Sequence, residues 1–130
     1  EHTVGMSTGF FPLHKEVFAA SDDPQHVLAL LRGAFSEPFY RIPTRLNIMA
    51  MYAAHYGDSD LALAILRTAF VDEKGALTVN LWHPLYANAR KDPRFKAILR
   101  DIGLVAVWRE SGKWGDYVRP LGEDDFEIIA

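Results

Sequence analysis

The sequence predicts an all-α fold: a short α-solenoid of about three helix pairs, followed by a C-terminal helix and an extended tail. Two observations support this. The segment Leu30–Phe35 is matched by Ile65–Phe70 at an offset of 35 residues, and Ile98–Arg100 gives a fainter copy 33 residues later. Apolar residues recur at helical spacing, and no segment alternates convincingly between apolar and polar residues. A period near 34 residues is typical of a helix–turn–helix repeat.

The middle unit, residues 42–75, shows the pattern most clearly. Pro43 can open its first helix, because the missing N–H of proline costs nothing in a first turn. Gly57 ends that helix, since glycine readily adopts the left-handed conformation at such stops. Asp58 or Ser59 caps the second helix. The predicted buried residues are Leu46, Met49, Ala50, Ala53, Leu61, Ala62, Ile65, Leu66, Ala69 and Phe70.

Two less regular units flank the middle one. The second helices of both begin with the same Asp-Pro pair, Asp23-Pro24 in the first unit and Asp92-Pro93 in the third. A shortened first helix is expected from Trp82 to Ala89. The units are predicted at about 9–41, 42–75 and 82–103, with helix pairs at about 12–36, 43–71 and 83–102 and no sheet. Residues 104–130 are expected to form a last helix and an extended or loop-like tail.

The middle unit resembles the tetratricopeptide repeat. Small residues stand at the positions where that family packs its paired helices closely, namely Ala50, Gly57, Ala62 and Ala69. The resemblance implies that helix pairs stack in order and that the first helix of each pair lines a concave groove.

The C-terminal part also resembles a known ending, the helical-repeat C-termini of bacterial class III adenylate cyclases and of winged-helix or TolB-like signalling proteins. The resemblance covers about residues 40–130. It rests on Leu81–Leu85, Arg90–Phe95, Leu99, Ile102–Leu104, Trp108-Arg109, Trp114–Tyr117 and Asp124–Glu127. The length of the chain indicates that residues 1–130 form one domain. The resemblance implies that this domain is the regulatory or scaffolding part of a larger bacterial signalling protein, which we expect in the cytoplasm.

Composition narrows the classes of function. The net charge is −3, the pI is near 5.9 and the fourteen basic residues are scattered, which argues against a nucleic-acid surface. The absence of cysteine excludes disulfides, thiolate metal sites and cysteine nucleophiles. No apolar run approaches the roughly 20 residues that a membrane span needs. We therefore expect neither nucleic-acid binding nor a membrane span.

No motif indicates catalysis or metal binding. None of the five histidines forms an i, i+4 pair or a recognised ligand spacing; they are His2, His14, His26, His55 and His83. The serines lie near predicted caps or loops, and none lies in a G-x-S-x-G elbow. We therefore expect a protein without catalytic residues, metal or cofactor.

The predicted groove supplies the candidate binding residues. They are Thr44, Asn47, Met51 and His55 on the middle unit, Glu16 on the first, and Tyr86 and Arg90 on the third. An asparagine can hydrogen-bond a peptide backbone in both senses, and methionine adapts to irregular apolar side chains. The expected partner is a protein or peptide, another domain of the same chain, or a second copy.

Two alternatives remain open at this point. The chain is alternatively a structural or dimerisation cap for an upstream catalytic or DNA-binding domain, for which a large exposed apolar patch would be the sign. The third interpretation is a hydrolase whose histidine and carboxylate side chains are brought together by the fold.

Overall fold

The computed structural model describes residues 10–129 and confirms a mostly helical chain, with one small sheet near its end. Gly9, where the first predicted unit begins, and His2 lie outside this range. The helices are α1 (Phe10–Ala19), α2 (Pro24–Phe35), α3 (Pro43–His55), α4 (Ser59–Arg67), α5 (Pro93–Asp101) and α6 (Leu104–Ser111). The strands are β1 (Val118–Leu121) and β2 (Asp125–Ile128). Across residues 10–129, no helix has the length and apolar character needed to cross a membrane.

The second helices of the units begin where the sequence predicts. The side chains of Asp23, Asp58 and Asp92 each accept a hydrogen bond from a backbone N–H in the first turn that follows. These bonds satisfy N–H groups that have no partner within the helix. Proline occupies the first turn of α2, α3 and α5.

The α3–α4 hairpin forms the centre of the core. Gly57, with φ at 92°, makes the turn between the two helices, and no other residue type adopts that conformation as easily. Ala50, Ala62 and Ala69 are fully buried, so three of the four small residues of the predicted repeat lie inside the protein, whereas Gly57 is exposed. All ten of the buried positions predicted in this unit are buried; they are Leu46, Met49, Ala50, Ala53, Leu61, Ala62, Ile65, Leu66, Ala69 and Phe70.

Helices α4 and α5 lie side by side at an offset of one repeat. Arg94 pairs with Asp60 at 2.5 Å, and Arg67 pairs with Asp101; each pair is separated by 34 residues. One pair joins the first turns and the other joins the last turns, so the two helices run in the same direction. This offset is not repeated at α2, where Arg32 pairs with Asp58, 26 residues further on.

The prediction of a shortened first helix at 82–89 is wrong. Three short 3-10 turns replace it, Thr78–Trp82, Pro84–Tyr86 and Ala89–Lys91. His83 has an extended backbone, with φ −61° and ψ 140°. The residue before a proline is disfavoured in the α conformation, and Pro84 therefore interrupts the segment.

The prediction of no sheet is also wrong, because the tail forms a β-hairpin. Strand β1 pairs antiparallel with β2, with Val118 opposite Ile128 and Leu121 opposite Asp125. Each strand has only four residues, and each buries one large side chain, Val118 in β1 and Phe126 in β2. Strands this short leave too few alternating positions for a period-two pattern to be recognised.

The hairpin packs on the last helices through aromatic rings and charges. The Phe126 ring is fully buried, and the cationic groups of Lys96 and Arg100 each lie 4.9 Å from its centre. Trp114 lies 6.3 Å from Phe126 and 5.7 Å from Trp108, measured between ring centres. The hairpin and α6 thus cover the end of the helical array that α5 would otherwise expose.

Candidate interaction surface

Helix α3 exposes one stripe of side chains. Thr44 and His55 are exposed, Ile48 is 37% exposed and Met51 is half-buried. At about 100° per residue, these four side chains fall within about 60° of arc. Three of them, Thr44, Met51 and His55, belong to the predicted groove.

The structure corrects the placement of Asn47, which the sequence analysis set on the exposed side of α3. Asn47 is only 7% exposed. It lies about 60° of arc from Thr44, and α3 contacts the Pro84–Tyr86 turn as well as α4. The Asn47 Oδ1 atom is buried without a hydrogen-bond partner among the described residues. Ile48 takes its place in the exposed stripe.

Tyr86 and Arg90 also require correction, because both are buried rather than flanking an open groove. The Arg90 guanidinium donates hydrogen bonds to the backbone oxygens of Leu81 at 3.0 Å and His83 at 2.9 Å. It therefore ties together the 3-10 turns that replace the expected helix. Burial raises the pKa of Tyr86 and lowers that of Arg90.

The C-terminal tail covers this part of the third unit. Tyr117 stacks on Trp82, with ring centres 5.2 Å apart and an angle of 21° between the planes. The Arg90 guanidinium carbon lies 5.9 Å from the centre of the Trp82 ring. The side of the third unit on which we predicted a binding groove is thus occupied by residues of the chain itself.

Helices α1 and α3 contact each other beside the exposed stripe. His14 Nδ1 and the Tyr52 hydroxyl lie 2.7 Å apart and share a hydrogen bond. Phe18 follows His14 by one helical turn, and its ring is 70% exposed. We define the α1–α3 face as the exposed or half-buried residues Lys15, Phe18, Thr44, Ile48, Met51 and His55.

The sequence analysis missed Phe18 and Ile48, although a signal for them was present. Helix α1 begins at Phe10 and α3 at Pro43, 33 residues later. At this offset Phe18 aligns with Met51, and Lys15 aligns with Ile48. The sequence analysis aligned the units by the Leu-Leu-Arg segments of their second helices. An alignment of α1 with α3 from their first residues would have placed Phe18 and Ile48 on the exposed face.

Glu16 is exposed but lies on a different surface of α1. It lines a cleft between α1 and α2 together with His26 and Leu30, and Glu37 and Tyr40 close one end of this cleft. Burial, and then the nearby carboxylates of Glu37 and Glu16, raise the pKa of Tyr40. The predicted groove residues therefore lie in three places. They are Thr44, Met51 and His55 on the α1–α3 face, Glu16 in the α1–α2 cleft, and Asn47, Tyr86 and Arg90 in the interior.

In the α1–α2 cleft, His26 lines the same hollow as Glu16 and Glu37. Among the residues with described side chains, no hydrogen bond joins the His26 ring to Glu16 or Glu37. A histidine that acts as a general base is usually held by a hydrogen bond to a carboxylate that orients it, and this bond is not formed there. Within that part of the chain, no three His, Asp or Glu side chains converge as metal ligands would.

No protein-family model, curated protein or solved structure matches this chain. The candidate surfaces therefore rest on the geometry of the chain.

Proposed function

We propose that the chain is a non-catalytic interaction module that binds a segment of a partner protein through the α1–α3 face. The observation that carries this proposal is the 70% exposure of Phe18 on α1, together with the exposed Ile48 and half-buried Met51 on α3, the helix that α1 contacts through His14 and Tyr52. Aromatic and methionine side chains are enriched in protein interfaces, while carboxylates are depleted. The α1–α3 face contains Phe18 and Met51 and no acidic residue.

The fold supports a tetratricopeptide-like solenoid as the scaffold of this face. The 34-residue offset between α4 and α5 is the offset that stacked second helices of such repeats would have. The hydrogen bond between His14 and Tyr52 likewise joins two first helices. In this proposal the chain is the regulatory or scaffolding part of a cytoplasmic signalling protein, as the C-terminal resemblance implies.

The partner segment that this face fits is apolar with acidic neighbours. Phe18, Ile48 and Met51 offer apolar contact area, and methionine adapts to irregular side chains. Lys15 provides a cationic group on the face, and His55 provides an imidazole. Complementary charge sets specificity and the rate of encounter more than it sets affinity.

A peptide-display selection against the purified chain tests the proposal. Peptides that are enriched should combine apolar residues with Asp or Glu. The best peptide is then titrated against the parent, Phe18→Ser, Ile48→Ser and the matched control Val107→Ser, which alters a side chain 58% exposed on α6. Loss of a central apolar contact should weaken binding by about tenfold or more, and the control should bind like the parent.

The same titrations define the contrary results. Equal binding by the parent and by Phe18→Ser would place the interface elsewhere, and the absence of any enriched peptide would count against a peptide-binding face. Sedimentation analysis adds one more outcome. If the parent dimerises and Phe18→Ser stays monomeric, the partner is a second copy of this chain rather than another protein.

A further inference from the structure

The cleft between α1 and α2 is a second concave surface, separate from the α1–α3 face. It consists of two adjoining hollows of about 390 and 250 Å³ that share Glu16, His26 and Leu30. Leu13, Ala34 and Leu30 give the larger hollow an apolar lining. Volumes of this size accommodate a long side chain together with part of its backbone.

The lining of this cleft carries negative charge. Arg45 also acts on Tyr40, but it lowers the pKa of Tyr40 less than either nearby carboxylate raises it, and it is not a lining residue. Glu16 and Glu37 both line the larger hollow, and both lie close enough to Tyr40 to raise its pKa. Neither carboxylate forms an ion pair with any residue whose side chain is described. The carboxylates that do pair with Arg or Lys are Asp58, Asp60, Asp72, Glu73, Asp92, Asp101, Asp125 and Glu127.

An apolar hollow with two carboxylates matches the chemistry of a long cationic side chain. Lysine and arginine have an aliphatic stem that packs on apolar surface and a charged head that seeks hydrogen-bond acceptors. Leu30 and Ala34 suit the stem, while Glu16 and Glu37 suit the head. Hydrogen bonds between a cation and a carboxylate are roughly twice as strong as neutral ones.

We propose that the α1–α2 cleft docks an arginine or lysine side chain from an extended segment of a partner polypeptide. This site is independent of the α1–α3 face, which has no carboxylate. Helix α1 would then separate two docking surfaces of different charge, with Lys15 on one and Glu16 on the other. A chain with both surfaces can hold two polypeptide segments at once, as a scaffold does.

The probe for this site is a six-residue peptide, blocked at both ends, in which one arginine stands among alanines and leucines. Its matched control carries citrulline, which keeps the shape of arginine and removes the charge. Both are titrated into the ¹⁵N-labelled chain while amide chemical shifts are recorded. The arginine peptide should shift the amides of Glu16, Ala29, Leu30, Gly33 and Glu37, and the citrulline peptide should bind about tenfold more weakly.

Two variants test the carboxylates directly. Glu16→Gln and Glu37→Gln should each weaken the arginine peptide about five- to tenfold. Glu110→Gln, which neutralises an exposed carboxylate on α6, should leave the affinity unchanged. Binding should also weaken as salt is raised, because exposed charges are screened.

Equal affinity for the arginine and citrulline peptides would overturn the proposal, as would shifts confined to other helices. Spermidine binding as tightly as the peptide would overturn the polypeptide assignment and favour a free polyamine. A loss of peptide binding in Phe18→Ser but not in Glu16→Gln would move the contact to the α1–α3 face. That last outcome separates the failure of this site from the failure of the proposed function.

Discussion

Lys96 Nζ lies 2.8 Å from Asp125 Oδ1 and joins α5 to the β-hairpin across 29 residues of chain. Arg100 approaches the same carboxylate oxygen at 3.0 Å. Both cations also lie over the buried ring of Phe126, the next residue. The hairpin is therefore held against α5 by the buried Phe126 ring and by the Asp125 carboxylate, which pairs with both Lys96 and Arg100.

This arrangement predicts that acid loosens the hairpin. The hydrogen bond from Lys96, and then that from the Phe126 backbone N–H, lower the pKa of Asp125 from 3.8 to about 2. Because the pKa is lower in the folded protein, the contribution of this carboxylate to stability is full above about pH 4 and is lost as the pH falls toward 2. The Trp114 indole resonance, followed by NMR, should shift over that interval.

Two variants check the assignment to Asp125. In Asp125→Asn the Trp114 resonance at pH 6 should already resemble that of the parent near pH 2. Asp124→Asn, which alters the adjacent exposed carboxylate, should behave like the parent. A parent resonance that does not move between pH 4 and pH 2 would contradict the prediction.

Arg90 is expected to stabilise the fold rather than to bind a partner. Arg90→Met removes two hydrogen bonds and leaves the backbone oxygen of Leu81 without a partner, while the His83 oxygen keeps its bond from the Tyr86 backbone N–H; the loss should cost about 1–3 kcal/mol of unfolding free energy. Urea denaturation measures the difference. Lys91→Met, at the exposed neighbouring position, should change stability by less than about 0.5 kcal/mol. Equal stability of the two variants would show that the Arg90 bonds contribute nothing.

Two glycines should respond to alanine in opposite directions. A Cβ at Gly75 would lie 2.9 Å from the Ala69 backbone oxygen and 3.2 Å from Pro43 Cβ, so Gly75→Ala should destabilise by about 1–3 kcal/mol. A Cβ at Gly33 meets no atom within 4 Å, and Gly33→Ala should stabilise α2 by about 0.5–1 kcal/mol. Thermal unfolding of both variants shows whether each change raises or lowers stability. A Gly75→Ala variant as stable as the parent would contradict the close packing of Gly75 against Ala69 and Pro43.

Asn47 should be replaceable by an apolar residue. Its buried Oδ1 has no partner among the described residues, and such an atom costs about 1–3 kcal/mol. Asn47→Leu should therefore match or exceed the parent in stability, whereas Asn88→Leu at an exposed position should stay within about 0.5 kcal/mol of it. Chemical denaturation of both variants is the measurement. Marked destabilisation by Asn47→Leu would mean that the amide makes a needed contact.

Local chemistry made the second helices and the α3–α4 hairpin predictable from the sequence. Asp23, Asp58 and Asp92 cap α2, α4 and α5 through bonds that span only two or three residues. The turn at Gly57 is equally local. The hairpin of the tail was not predictable, because its strands are held by contacts with α5 and α6 rather than by a pattern of their own.

The candidate surface was predictable only in part. The exposed stripe of α3 could be predicted from helical spacing, but the burial of Asn47 depends on tertiary packing, which the spacing within one helix does not specify. Tyr86 and Arg90 were misplaced because the helix expected around them does not form. Glu16 was assigned to the correct helix, but it faces the cleft with α2 rather than the α1–α3 face. Helix α1 has exposed residues towards both α2 and α3, and the sequence does not say which of these surfaces is a groove.

The two ion pairs between α4 and α5 have a mechanical consequence. Exposed pairs of this kind contribute little free energy. However, Asp60–Arg94 and Arg67–Asp101 link the two helices at both ends, so axial sliding in either direction must stretch both links together. Helices α4 and α5 should therefore resist sliding past each other. When single molecules are pulled from their two ends, α4 and α5 should extend together rather than one after the other.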